Sequence, residues 1–174
     1  MLGWLDHGET GGGDGAHALM RDIAAALTAG GLALRGTVQT NLPGDGCHCD
    51  MVLAILGDGG PDLVISQDRG AQARGCRLDA GALEMAAQRV LDGMDGADLV
   101  ILNKFGRQES CGRGMVPVIA AAMERGLPVL TAVAPEQRAA FLDFAGDMAQ
   151  KLPPAAAAAW CRAAARSTAA RSSA

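Results

Sequence analysis

A cluster of glycines between a short apolar run and an amphipathic segment constrains this chain more than any other feature. Leu2–Asp6 reads as a strand candidate, and a Gly loop follows over residues 8–15. Residues 16–29 then place Leu19, Ile23, Ala26 and Leu27 on one helical face. Gly30 and Gly31 stop that helix. Strand, Gly loop, helix, strand is the opening of a parallel α/β domain.

The remaining pattern continues the alternation. Strands are expected over residues 32–39, 51–56 and 63–67. The last two are separated by Gly57-Asp58-Gly59-Gly60-Pro61-Asp62, strong turn chemistry that predicts an antiparallel hairpin at a sheet edge. Asp79 is an N-cap candidate for a helix over 80–91. The apolar runs 99–102 and Val129–Val133 suit strands buried on both faces. Helices are expected over 116–125, from Pro135 to about residue 150, and over 155–166. The expected architecture is a three-layer, P-loop-like α/β domain with a mostly parallel sheet over residues 1–152. An Ala-rich helix and mobile tail would occupy 153–174.

Ligands of such folds bind at loops following the carboxyl ends of strands. The first such loop carries Gly8, Thr10, Gly11, Gly12, Gly13 and Gly15. Its spacing matches the phosphate-binding G-x-x-x-x-G, but Asp14 and Gly15 stand where the motif has Lys and Ser or Thr. The Lys would reach the phosphates and the hydroxyl would hold Mg²⁺. Asp14 instead adds a negative charge, and two like charges 4 Å apart cost about 4 kcal/mol at an effective dielectric near 20. Ordinary nucleoside triphosphate hydrolysis is disfavoured. Loop amides and the helix N-terminus keep the capacity to receive an anion.

The chain has 13 Arg but 2 Lys, Lys104 and Lys151, among 174 residues. A formal net charge of −4 argues against a general nucleic-acid binder. No apolar run approaches the roughly 18 residues of a membrane span, and no leader pattern opens the chain, so a cytoplasmic protein without membrane or nucleic-acid partners is expected. Five Cys in that compartment read as reduced thiols. The Ala-rich helices leave room for a homodimer.

Two further loops are chemically rich. Residues 103–114 hold Asn103, Lys104, Arg107, Gln108, Glu109, Cys111 and Arg113, while 68–79 hold Arg69, Arg74, Cys76 and Arg77. If the loops converge, Lys104, Arg107, Arg74, Arg77 and Arg113 would surround one anion pocket, with Asn103 and Gln108 supplying directional hydrogen bonds. The alternative is two independent solvated loops. Cys47, His48 and Cys49 form a candidate metal site, although structural zinc uses wider spacing and four ligands. His7 and His17 flank the Gly loop as incidental residues.

Gly36-Thr-Val-Gln-Thr-Asn41, Ile65-Ser-Gln-Asp68, Ala73-Arg-Gly-Cys-Arg-Leu-Asp79 and the stretch from Asn103 to Glu109 resemble a bacterial family, domain of unknown function 2478. The resemblance runs over about residues 1–162. Members of that family tend to be encoded beside molybdenum-transport genes, and the family is similar to small P-loop nucleoside triphosphatases. Those relatives usually carry acids at the strand end where this chain has Asn103 and Lys104. The resemblance implies a P-loop-like fold and a molybdenum context. The leading expectation is a binding protein for a small anion, a nucleotide or a molybdate-like oxyanion. The alternatives are a divergent nucleoside triphosphatase and a Cys-based metal-handling or regulatory module.

Overall fold

The computed structural model describes residues 1–43, 49–67 and 77–172. Seven strands form one sheet: β1 (Leu2–Asp6), β2 (Leu34–Pro43), β3 (Cys49–Leu56), β4 (Leu63–Val64), β5 (Leu99–Phe105), β6 (Val129–Val133) and β7 (Ala149–Lys151). Their order is β4-β3-β2-β5-β6-β1-β7. The pairs β2·β5, β5·β6, β6·β1 and β1·β7 are parallel, and β2·β3 and β3·β4 are antiparallel. The expected mostly parallel sheet with an antiparallel extension at one edge is therefore what the chain forms.

Side-chain alternation on the central strands builds two cores. Leu99 and Ile101 face one helical layer, whereas Val100 and Leu102 face the other. The first layer is α1 (Gly12–Ala29) and α6 (Ala157–Ser172), which buries Ala157 and Cys161. The second contains α2 (Ala80–Asp92), α4 (Val116–Glu124) and α5 (Arg138–Ala145). Between β5 and α4 lies a one-turn helix, α3 (Arg107–Ser110). The few aromatic residues are concentrated: Phe105 and Trp4 both pack on Phe141, at 5.2 and 5.6 Å between ring centres. Phe105 is 1% exposed, so it anchors the end of β5 immediately after Lys104.

Several boundaries differ from the sequence reading. Helix α1 begins at Gly12, inside the glycine run and four residues before the start expected from sequence, despite the poor helix propensity of glycine. Its buried stripe is Ala16, Met20, Ile23, Ala24 and Leu27, while Ala26 is exposed. Strand β5 extends to Phe105, so Asn103 and Lys104 belong to a strand rather than to a loop. The hairpin's second strand keeps only Leu63–Val64, followed by a single bridge from Ser66 to Leu78. The helix expected to reach residue 150 ends at Ala145, where Gly146 turns with φ +50°. The seventh strand follows, unannounced by any apolar pattern, because its three residues are mostly exposed and gain their place by pairing with β1. Asp79 caps α2 as expected, its carboxylate accepting from the Ala82 amide at 3.1 Å.

Gly36 shows why one motif residue is glycine. It sits at φ +122°, and a Cβ there would lie 1.8 Å from the Ile101 carbonyl oxygen.

Candidate ligand cavity

The glycine loop is held from below by charge. Asp6, at the end of β1, is 4% exposed, and its Oδ1 accepts from the Gly8 amide at 2.9 Å. Its Oδ2 pairs with Arg138 of α5 at 2.5 Å and with Lys151 of β7 at 3.7 Å. Lys151 also donates to Glu9 at 2.6 Å and lies over the Trp4 ring. One of the two lysines thus fastens the loop. The loop then folds back on itself: the Thr10 amide and hydroxyl both donate to the His7 carbonyl, at 3.2 and 3.0 Å. This brings the Thr10 carbonyl against α1, where a Cβ on Gly15 would lie 1.9 Å from its oxygen. The position that carries Ser or Thr in a phosphate-binding loop has no space for a side chain here.

A relay of amides ties this loop to the centre of the sheet. Asn103 Nδ2 donates to Gln39 Oε1 at 2.9 Å, and Asn103 Oδ1 accepts from the Gln39 amide at 3.2 Å. Gln39 donates to Asn41 at 2.8 Å, which donates to Asp14 at 2.8 Å. Asn103 and Gln39 are both buried, so each partner satisfies a group that would otherwise be costly to desolvate. Asp14 is therefore directed towards Asn41 of β2.

Lys104 is the next residue after this buried pair. It is half-buried and has no hydrogen-bond or ion-pair partner among the described residues. The segment after it is shaped by Glu109, which is 6% exposed. Its Oε2 accepts from the Gly106 amide at 2.8 Å and its Oε1 from the Met115 amide at 3.0 Å. Glu109 is thus a clamp that closes residues 106–115 into a fixed shape. Arg77 donates to the Gln67 carbonyl and lies 3.7 Å from Asp50.

These elements enclose a cavity of about 640 Å³. It lies across the carboxyl ends of β1, β2, β5 and β6. Lys104, Arg77, Arg107, Gln108, Asn103 and Gly13 line it, so six of the residues singled out from sequence share one space. Gly8, Thr10 and Gly11 of the adjoining loop and Gly12 and Gly15 of α1 are not part of the lining, and Arg113 is exposed outside it. Arg74, Cys47 and His48 lie outside the described residues, and Cys49 enters only as the first residue of β3. Among the described residues no group of three or more His, Cys, Asp or Glu could hold a metal ion.

The sequence reading missed two parts of the lining. One is an apolar wall from the hairpin and the α2 side: Met51, Leu53, Ile65, Leu83 and Met115. The other is His7 and His17, both 6% exposed, with ring centres 6.5 Å apart in an edge-on arrangement. Burial pushes the His17 ring down to about 4, with the Lys104 charge adding to it. The same two causes, partly opposed by Asp6 and Glu136, lower His7. Both rings are therefore neutral at pH 7. Gln39 was legible as part of the Gly36–Asn41 motif, but its pairing with Asn103 was not.

Sheet order, helices on both faces and a cavity at the carboxyl ends of the strands define a mostly parallel α/β protein, and the cavity lies where that architecture commonly binds ligands. The chain belongs to the family described as protein of unknown function (DUF2478), whose model matches residues 9–160. It is also similar to the molybdenum import ATP-binding protein ModC 2 of Bradyrhizobium diazoefficiens, with 36% identity over 141 residues. That match takes in 80% of this chain and 16% of the longer relative. No solved structure matches the chain. Among the described residues no helix is long and apolar enough to cross a membrane.

Proposed function

We propose that this protein binds a small anionic ligand, a nucleotide or a molybdate-like oxyanion, in the cavity at the carboxyl ends of its strands. The observation that carries this is Lys104, a half-buried cation with no partner among the described residues, beside about 640 Å³ of space. Leaving such a charge uncompensated is costly unless an anion completes it. Arg107 stands at the same cavity as a second cation, and Gln108 offers a directional hydrogen bond. The volume falls in the range of small-molecule and cofactor sites, which favours a nucleotide-sized ligand over a bare tetrahedral ion. The similarity to a molybdenum import ATP-binding protein supports a nucleotide-related role in molybdenum homeostasis, in the cytoplasm. The filled space at Gly15 and the acid at position 14 speak against Mg²⁺-dependent turnover.

Calorimetric titration with adenosine and guanosine nucleotides, phosphate, molybdate and tungstate tests the reading. Saturable binding of at least one is expected, weakened about tenfold or more by Lys104→Met, as befits a lost charge-assisted hydrogen bond. No saturable binding by any of them would sink the proposal. Mg²⁺-dependent phosphate release from a nucleoside triphosphate would establish the alternative, a divergent triphosphatase.

A further inference from the structure

Both ring nitrogens of His17 and Nε2 of His7 are buried with no hydrogen-bond partner among the described residues. Buried polar atoms are nearly always paired, and each exception asks for an explanation. Here the three bare nitrogens belong to two rings in the wall of one cavity, beside the unpartnered Lys104. The missing partner has room to come from outside the protein.

We infer that His7 and His17 act with Lys104 as the receptor for the ligand's oxyanion group, and that binding draws a proton from solvent onto this histidine pair. The inference rests on the proposed reading of the cavity and names the residues and proton that complete it. A neutral imidazole has one donor nitrogen and one acceptor nitrogen. The acceptor opposes an oxyanion, and protonation converts it into a second donor. Within the protein that proton is held off first by burial and then by the Lys104 charge, which is the strongest charge acting on both rings.

The other groups facing His7 are Asp6 and Glu136, and those facing His17 are His7, Asp14 and Arg21. Asp6 is already paired with Arg138 and Lys151, and Asp14 accepts from Asn41. An incoming negative charge is thus the change that would cancel Lys104 and let a ring ionise. The proton moves from solvent to an imidazole nitrogen, and no covalent bond of the ligand is made or broken.

The ligand's class follows from the cavity's two ends. From β1, whose carboxyl end leads directly into His7, to β3, which carries Met51 and Leu53, there are four strand spacings, about 19 Å in all. A tetrahedral oxyanion at the histidine end leaves the apolar wall of Met51, Leu53, Ile65, Leu83 and Met115 uncovered. The fitting occupant is an organic molecule with one terminal oxyanion, such as a phosphate monoester on a flat apolar ring.

The test is calorimetry of adenosine monophosphate and of molybdate, each at about pH 8 and about pH 6, in two buffers of unlike ionisation enthalpy. Wild type is compared with His17→Gln and His7→Gln, each checked for an unchanged melting transition. Wild type should take up close to one proton more than the variants on binding. Its affinity should rise by on the order of tenfold more than theirs from pH 8 to pH 6. The monophosphate should bind more tightly than molybdate. Tighter molybdate binding would overturn the assignment of an organic ligand. Saturable binding with equal proton uptake in wild type and both variants would overturn the histidine receptor while leaving the anion site standing. Failure of both probes to bind wild type would overturn the histidine receptor, and the anion site falls with it if the other nucleotides, phosphate and tungstate fail as well.

Discussion

Replacing Gly15 with serine would restore the hydroxyl that a phosphate-binding loop uses, and the structure predicts that the protein pays for it in stability. A Cβ at this position would lie 1.9 Å from the Thr10 carbonyl oxygen, whereas ordinary contact begins at 3.4 Å. The obstacle is backbone, so Thr10 must retreat by about 1.5 Å, the shortfall from ordinary van der Waals separation. That movement disrupts the two hydrogen bonds from Thr10 to the His7 carbonyl, at 3.2 and 3.0 Å. At about 1 kcal/mol each the loss is about 2 kcal/mol, and better helix propensity returns about 0.5. The net of about 1.5 kcal/mol lowers the melting temperature by about 3–6 °C for a chain of this size. Gly13→Ala is the control, because a Cβ there meets nothing within 4 Å. It should stabilise by about 0.5–1 kcal/mol through reduced freedom of the unfolded chain. Thermal unfolding followed by circular dichroism reads both. A Gly15→Ser variant melting at or above wild type would refute the close approach of loop and helix.

Two further outcomes are expected. Asn103→Ala strands the buried Gln39 amide and its side-chain oxygen, and should destabilise by about 2–3 kcal/mol in urea unfolding; Asn103→Asp should be worse, since it removes a donor and buries a charge. His17 has a folded value of about 4 against 6.5 in the unfolded chain, so protons favour unfolding. Its stabilising contribution is complete above about pH 6.5 and falls by about 3 kcal/mol towards pH 4. Urea midpoints across that range should show a shallower decline in His17→Gln, and identical declines would contradict a buried neutral ring.

The proposed anion site was partly legible because its residue types are unusual where they stand. Lys104 stood out as one of 2 lysines, and among the described residues it proves to be the one without a hydrogen-bond or ion-pair partner, Lys151 being taken up by Asp6 and Glu9. Glu109, read as one side of a polar loop, is consumed by two backbone amides. His7 and His17 gave no sequence signal, because an isolated histidine has the same pattern whether it faces solvent or a cavity.

Sequence by itself determined the alternation of strands and helices, the antiparallel edge, and the loss of Lys and hydroxyl from the glycine loop. These depend on local periodicity, turn residues and the identity of single positions. Tertiary structure alone decided that β7 exists, that α1 begins inside the glycines, and that Asn103 turns towards Gln39. It also decided that two histidines 10 positions apart share one cavity with a lysine from the middle of the sheet. The physical reason is that strand pairing, burial and charge at that site are properties of neighbours distant in the chain. The lysine's meaning changes accordingly, from a residue left in place of an acid to a charge that adds to burial in lowering two imidazoles.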